Sequence, residues 1–241
     1  MSGTALLTVM PELRFLLPAR DRHGPVAVPV DGVSSLLHVV ESIGIPRTEV
    51  GALVVNGEPV ATGYRPRDGD QVLVQAPARP QVVAQQGFLL DVHLGTLARR
   101  MRLLGLDTGY SNDADDTELV QQAIAQGRVL LTRDRGLLRR RGLPVGAFVR
   151  GQNPDDQLAD VLDRFAPVLA PWTRCPACNG GLRACSLEEV AALIEPGTRR
   201  TYQLFHRCQA CGRAYWRGAH GERLSRIVAS ATELARRQAG T

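Results

Sequence analysis

The sequence predicts a multi-domain protein. It reads as a small α+β domain, then an α/β domain on a parallel sheet, then a short cysteine-bearing domain with a helix. Three observations lead there. The first part runs strand–strand–helix–strand–strand, and the middle alternates strand and helix, as a parallel sheet covered by helices requires. The last part holds all five cysteines, four of them in two C-x2-C pairs. Proline-rich shifts at Ala76-Pro77-Ala78-Arg79-Pro80 and from Phe165-Ala166-Pro167 to Ala170-Pro171-Trp172 set the boundaries at 1–82, 83–170 and 171–241.

Composition narrows the class. With 44% hydrophobic and 22% charged residues over 241 positions, the chain fits a globular protein and excludes a wholly disordered one. Aromatics are only 5%, so the cores must rest on Leu, Val and Ala. No apolar run reaches eighteen residues, so no transmembrane helix and no membrane partner are expected. The opening residues are broken by Pro11, Glu12 and Arg14 and do not read as a secretory leader; a cytoplasmic location is expected. All 29 basic residues are arginine, and the excess is local: the three segments carry net charges of −1, 0 and +6. The last segment therefore suits an acidic partner such as nucleic acid, although a plain basic surface gives the same count.

In the first segment, Glu12–Leu17 and Val26–Val30 read as strands around a polar Arg20–Gly24 turn. Leu36, Val39, Val40 and Ile43 recur at helical spacing, and Gly44 stands at the C-cap position. Val50–Val55 and Gln71–Gln75 are strands again, with Asn56-Gly57 as a hairpin turn and Asp68-Gly69-Asp70 as a second turn. This order resembles a ubiquitin-like β-grasp domain, in particular the sulfur-carrier-like version. Carriers end in a free Gly-Gly, whereas this strand runs on into Pro77, so no conjugation or sulfur transfer is expected. The domain is expected to stabilise the molecule or to dock a protein partner.

In the middle segment, Phe88-Leu89-Leu90 is a buried-strand run that ends in Asp91. Leu94, Leu97, Ala98, Met101 and Leu104 form a helical stripe closed by Gly105. A strand near Thr108–Tyr110, a helix over Leu119–Ala125 and a strand at Val129–Thr132 follow, and the last leads to Arg133-Asp134. Parallel sheets bind ligands beyond the carboxyl ends of their strands. Asp91, Asp116 and Asp134 all fall at that edge. Hard cations such as Mg²⁺ are held by carboxylates together with water and substrate phosphate, and can activate water for phosphodiester hydrolysis. Each acid also has a structural reading: Asp115 or Asp116 as an N-cap, Asp134 as a cap for the turn at Gly136, and Asp91 as an isolated strand-end residue. Arg99 and Arg102 lie one turn apart; with Arg133, Arg135 and Arg139–Arg141 they can line a phosphate path or a solvated face.

Cys175-Pro176-Ala177-Cys178 and Cys208-Gln209-Ala210-Cys211 have the spacing of a four-thiolate structural Zn²⁺ site in a small zinc ribbon, with Cys185 a bystander and His206 a spare ligand. Leu187–Leu193 suits a helix within the loop between them. Around the second pair, arginines including Arg200, Arg207 and Arg213 alternate with Tyr202, Phe205, Tyr215 and Trp216. Such residues bind phosphates and stack on bases, or the aromatics fill a small core. A helix over Ser225–Gln238 closes the segment.

Leu90-Asp91, Leu94-Gly95-Thr96-Leu97-Ala98-Arg99, Leu103-Leu104-Gly105-Leu106-Asp107-Thr108, Asn112-Asp113, Asp116, Leu119 and Gly127-Arg128-Val129-Leu130-Leu131-Thr132-Arg133-Asp134, together with the cysteine pairs, resemble the Mut-seven C-terminal RNase family over roughly residues 85–240. A ubiquitin-like domain in front is a familiar arrangement of that family. The resemblance implies a PIN-like fold and a metal-dependent ribonuclease that hydrolyses RNA with Mg²⁺ or Mn²⁺ at Asp91, Asp116 and Asp134. PIN sites often have a fourth acid, for which Asp115, Asp155 and Asp156 are the candidates. Structured RNA such as tRNA or rRNA is a conceivable substrate. The alternative is a non-catalytic RNA-, tRNA- or ribosome-binding protein that keeps the PIN scaffold.

Overall fold

The computed structural model describes residues 3–84, 87–216, 226, 229 and 233. In chain order the strands and helices are β1 (Gly3–Val9), β2 (Val26–Val30), α1 (Leu36–Ser42), β3 (Leu53–Val55), β4 (Glu58–Val60), β5 (Gln71–Val74), β6 (Gly87–Leu90) and α2 (Gly95–Leu103). Next come β7 (Thr108–Tyr110), α3 (Asp116–Ala125), β8 (Arg128–Thr132), α4 (Arg135–Leu138), β9 (Gly146–Phe148) and α5 (Pro154–Phe165). The last are β10 (Leu182–Cys185), α6 (Leu187–Val190), α7 (Pro196–Thr201), β11 (Phe205–Cys208) and β12 (Ala214–Trp216). The helix expected over 225–238 lies outside the described residues except for Arg226, Ala229 and Glu233, which are helical. Among the described residues no helix is long and apolar enough to cross a membrane.

The chain divides into two compact units that do not follow the three expected segments. Unit one is Met1–Arg79 with Thr132–Phe148; unit two is Pro80–Leu131 with Val149–Thr241. The cysteine segment thus groups with the α/β segment, and seventeen residues of the α/β segment group with the N-terminal part.

In unit one, the sheet order is β2-β1-β5-β3-β4, with β1 parallel to β5 and the other pairs antiparallel, as a β-grasp requires. Ala5, Leu7 and Val9 alternate inward along β1. The strand expected over Glu12–Leu17 is instead a 3-10 helix, Pro11–Leu16. Pro11 cannot donate to a ladder but suits a first helical turn, and the buried Leu13 and Leu16 have the three-residue spacing of that helix. Helix α1 starts at Ser35, whose Oγ accepts the His38 N–H at 3.3 Å, and its end turns at Gly44, φ +109°. Asn56 and Gly57, with φ of 52° and 91°, make the tight hairpin between β3 and β4.

Unit two is built on β6, with β7 and β8 parallel to it on either side. All four residues of β6 are buried. An antiparallel sheet β10-β11-β12 carries the second cysteine pair. Two side chains fasten the first pair to the parallel layer. Arg102, near the end of α2 and only 4% exposed, donates from Nε to the Thr108 carbonyl (2.9 Å) and from Nη1 to the carbonyls of Pro176 (3.2 Å) and Ala177 (3.0 Å). Asp107, just before β7, accepts from Arg128 Nη1 (2.7 Å), Asn179 Nδ2 (2.8 Å) and Arg174 Nη2 (3.1 Å). Asn179 Oδ1 in turn accepts the Thr108 N–H at 3.1 Å. Between these two clamps, Gly105 adopts φ +83° so closely against the Ala170 carbonyl that a Cβ would come within 2.0 Å of its oxygen.

Burial alone would raise the Asp107 pKa, but hydrogen bonds from Arg128 and Asn179 and the charges of Arg128 and Arg174 outweigh it, so the carboxyl is held below its ordinary value of 3.8. A lowered folded-state pKa means that stability from this group is complete above pH 3.8 and is lost as pH falls through the lowered value. Asp107→Asn should therefore reduce stability at neutral pH and flatten the acid limb of a stability-versus-pH curve measured by urea unfolding. A curve that superimposes on the parent's would contradict this role.

Candidate active site and metal centre

Asp91 continues β6 by one residue: its N–H donates to the Leu131 carbonyl (3.0 Å), and its carbonyl accepts the Leu94 N–H (2.9 Å). It is 5% exposed. The turn after it is braced from β7, because the Tyr110 hydroxyl donates to the Val92 carbonyl at 2.9 Å. Gly95 makes room for that phenol, since a Cβ there would lie 2.6 Å from the Tyr110 oxygen. The chain leaves β6 through α2 to β7 on one side, and returns through α3 to β8 on the other. The carboxyl end of β6 is therefore the topological switch point, where open α/β sheets bind ligands.

Asp116 opens α3 at the same edge and is half-buried. Asp115 is the helix cap: its Oδ1 accepts from Thr117 (2.7 Å) and Glu118 (2.9 Å), and Glu118 reaches back to the Asp115 N–H. Asp134 belongs to unit one and is exposed. Its N–H donates to Thr132 Oγ1 at 2.9 Å, and its Oδ1 caps α4 through the Gly136 N–H at 2.6 Å. Asp155 pairs with Arg100 at 2.5 Å and fastens α5 to α2, while Asp156 accepts from Asn153 Nδ2 at 2.7 Å.

The expected arginine surface is only partly available to a ligand. Arg99, Arg200 and Arg213 are exposed. Arg102 does not share the Arg99 face; it is buried, because three backbone carbonyls satisfy its guanidinium. Arg135 Nη1 donates to the Leu16 carbonyl (3.0 Å), and Arg207 Nε to the Gly212 carbonyl (3.4 Å). Arg133 is half-exposed. The aromatics near the second cysteine pair are largely core: Phe205 is buried with Val190 and Ile194, and Tyr202, Trp216 and Cys185 pack against them. His206 stacks on Trp172 with ring centroids 6.3 Å apart.

Among the described residues, the one group of three or more potential metal ligands whose atoms all lie within 4.8 Å of one another is Cys175, Cys178, Cys208 and Cys211. Asp91 and Asp116 do not belong to such a group. The sulfurs of Cys175 and Cys211 are 3.7 Å apart, and those of Cys178 and Cys208 3.5 Å. Both knuckles need unusual backbone, supplied by Asn179 (φ 68°) and Gly212 (φ 73°). A Cβ on Gly180 would crowd Ala210 at 2.7 Å and the Cys208 and Cys178 sulfurs at 3.2 and 3.3 Å, so glycine keeps the cradle open. Burial pushes the Cys178 thiol up to about 12; at Cys208 burial is outweighed by the Cys211 and Ala210 N–H groups, which bring it down to about 7. Four soft donors of this kind fit Zn²⁺ in a closed, structural site.

Tyr215, a residue the cysteine spacing does not single out, lies with its hydroxyl 3.0 Å from the Cys175 sulfur. An outer donor of that kind orients and stabilises a ligand. Tyr215→Phe should surrender zinc to a chromogenic chelator about tenfold faster or more; release at the parent's rate would show that the hydroxyl does not support the metal.

Comparison with known protein families matches residues 86–228 to the Mut7-C RNAse domain and residues 3–82 to Mut7-C ubiquitin. No curated protein and no solved structure matches the chain. The RNase-domain match covers the parallel layer, the acids at its carboxyl edge and both cysteine pairs. The chain belongs to the Mut7-C RNAse domain family, with a ubiquitin-like domain at its N-terminal end.

Proposed function

We propose that the chain is a PIN-like, metal-dependent ribonuclease that hydrolyses RNA phosphodiester bonds at the carboxyl edge of its parallel sheet. The observation that carries this reading is Asp91, an acid kept 5% exposed at the switch point of a sheet in an RNase-family chain. Asp91 and Asp116 would hold Mg²⁺ or Mn²⁺ with the oxygen donors a hard cation takes; two carboxylates suffice where water and a substrate phosphate complete the set. A divalent ion at such a site polarises the phosphate and lowers the pKa of bound water.

The chain's own residues position these parts. The Leu131 carbonyl and the Tyr110 brace fix Asp91 on both sides. Asp115 caps α3, and Asp116 follows it in the first turn of the helix. Arg99, Arg200 and Arg213 are the exposed cations for the RNA backbone, and their contribution should weaken as salt is added. We assign Zn²⁺ at the cysteines a structural role in a ribbon, since four thiolates leave no open position for chemistry.

The test is Asp91→Asn in the full chain, with a pool of tRNA and rRNA and added Mn²⁺. Turnover should fall at least about a hundredfold, the scale of the several kcal/mol a metal contributes, while filter retention of the RNA is kept. Unchanged turnover would reject the nuclease reading and leave an RNA-binding protein on this scaffold.

A further inference from the structure

Unit two has a cavity of about 680 Å³ beside Asp107 and Phe88, where β7 and β6 begin, at the edge of the sheet opposite Asp91. Every residue that lines it belongs to unit two. Its volume falls within the roughly 300–1,000 Å³ of small-molecule sites. The walls are apolar and aromatic: Val83 and Leu106 join Phe88 and Phe165, whose rings meet edge to face with centroids 5.5 Å apart. One wall, residues 80–83, is strapped to the end of α5. The Gln81 N–H donates to the Arg164 carbonyl at 2.5 Å, and Arg164 Nε donates to Gln81 Oε1 at 2.8 Å.

Val82 and Val168 stand on the rim, 96% and 91% exposed, the two most exposed large hydrophobic side chains among the described residues. Apolar groups left in water around a concavity mark a surface that a ligand covers. In the polar corner, Arg174 Nη1 donates to the Asn179 carbonyl (3.2 Å) and Nη2 to Asp107 Oδ2 (3.1 Å). A guanidinium has five N–H donors, so these two bonds do not use up the fork. The Arg174 side chain is 34% exposed. Asp107 is shared with Arg128, so two guanidiniums face one carboxylate and the corner keeps a net positive charge.

We propose that this cavity binds a nucleoside monophosphate group, its base packed on the Phe88–Phe165 pair and its phosphate on Arg174. A nucleobase has flat faces that suit aromatic walls, and a phosphate suits a guanidinium fork. The choice of a nucleotide among amphiphilic anions rests on the ribonuclease reading; the cavity and its charge do not. A free nucleotide and the phosphorylated end of an RNA share this chemistry.

The experiment titrates the full chain, by calorimetry, with AMP, GMP, CMP and UMP, and with octanoate as an apolar anion that lacks a base. At least one mononucleotide should bind with a Kd below about 1 mM. Val82→Asp and Val168→Asp change side chains too exposed to matter for folding and place a negative charge at the mouth. Each should weaken that binding about fivefold or more. Arg174→Lys keeps a charge beside Asp107 but loses the fork, and should weaken it similarly. No binding, binding that ignores all three substitutions, or octanoate binding as tight as the best mononucleotide would overturn the proposal. Short RNAs phosphorylated at the 5′ end, at the 3′ end or at neither, offered without added Mn²⁺, then identify the source of a bound mononucleotide. A gain of about fivefold from one terminal phosphate, lost in Val168→Asp, assigns the cavity to an RNA end; equal affinities assign it to the free nucleotide. None of these titrations reads cleavage, so they decide the cavity even where Asp91→Asn cleaves RNA normally, and the two readings fail separately.

Discussion

The central strand β6 is the constraint on which unit two depends. Parallel neighbours on both sides leave it no edge and no solvent face, so all four of its residues are apolar or glycine and buried. Burying Leu89 and Leu90 in that way is worth about 1.5–3 kcal/mol each. Such a strand can carry chemistry only where it ends. The first residue after it is Asp91, still hydrogen-bonded to Leu131 as though the ladder continued. Because the chain departs from β6 in one direction and returns from the other, the carboxyl end of the buried strand is the place where open α/β sheets bind ligands.

The clamps at the opposite ends of these strands explain why the cysteine segment folds with the α/β layer. Asp107 precedes β7 and gathers Arg128, Arg174 and Asn179. Arg102 reaches the carbonyls between Cys175 and Cys178. Each satisfies groups that would be expensive to bury alone. A metal-bound knuckle would then brace the α2–β7 turn, and the layer would brace the knuckle. This reciprocity would give a zinc ion at the four cysteines a structural purpose.

Much of this was legible in the sequence where the signal is local. The strand–helix alternation between Phe88 and Thr132 follows from residue periodicity, and the two C-x2-C pairs announce their ligand set through spacing alone. Asn56-Gly57 and Gly44 mark turns because few other residues adopt positive φ. The failures are non-local. Arg102 on a helix reads as a solvent-facing cation, and only carbonyls 74 and 75 residues further on bury it. The grouping of Thr132–Phe148 with the first domain turns on Glu49 and Phe148, which have no pattern in common. Residues 12–17 look strand-like because four apolar side chains cluster there; the proline at 11 and the three-residue spacing of Leu13 and Leu16 decide for a 3-10 turn. At Asp115 the capping alternative holds, whereas its neighbour Asp116 is the one assigned to the proposed site.

On the proposed reading, a buried strand delivers an acid and a cysteine cluster stiffens the layer behind it. The most direct measurement is anomalous diffraction from crystals of the full chain soaked in Mn²⁺. The account predicts a manganese peak at coordination distance from the Asp91 and Asp116 carboxylates, separate from the zinc at the four sulfurs. Manganese absent from that edge, with zinc still in place, would contradict it.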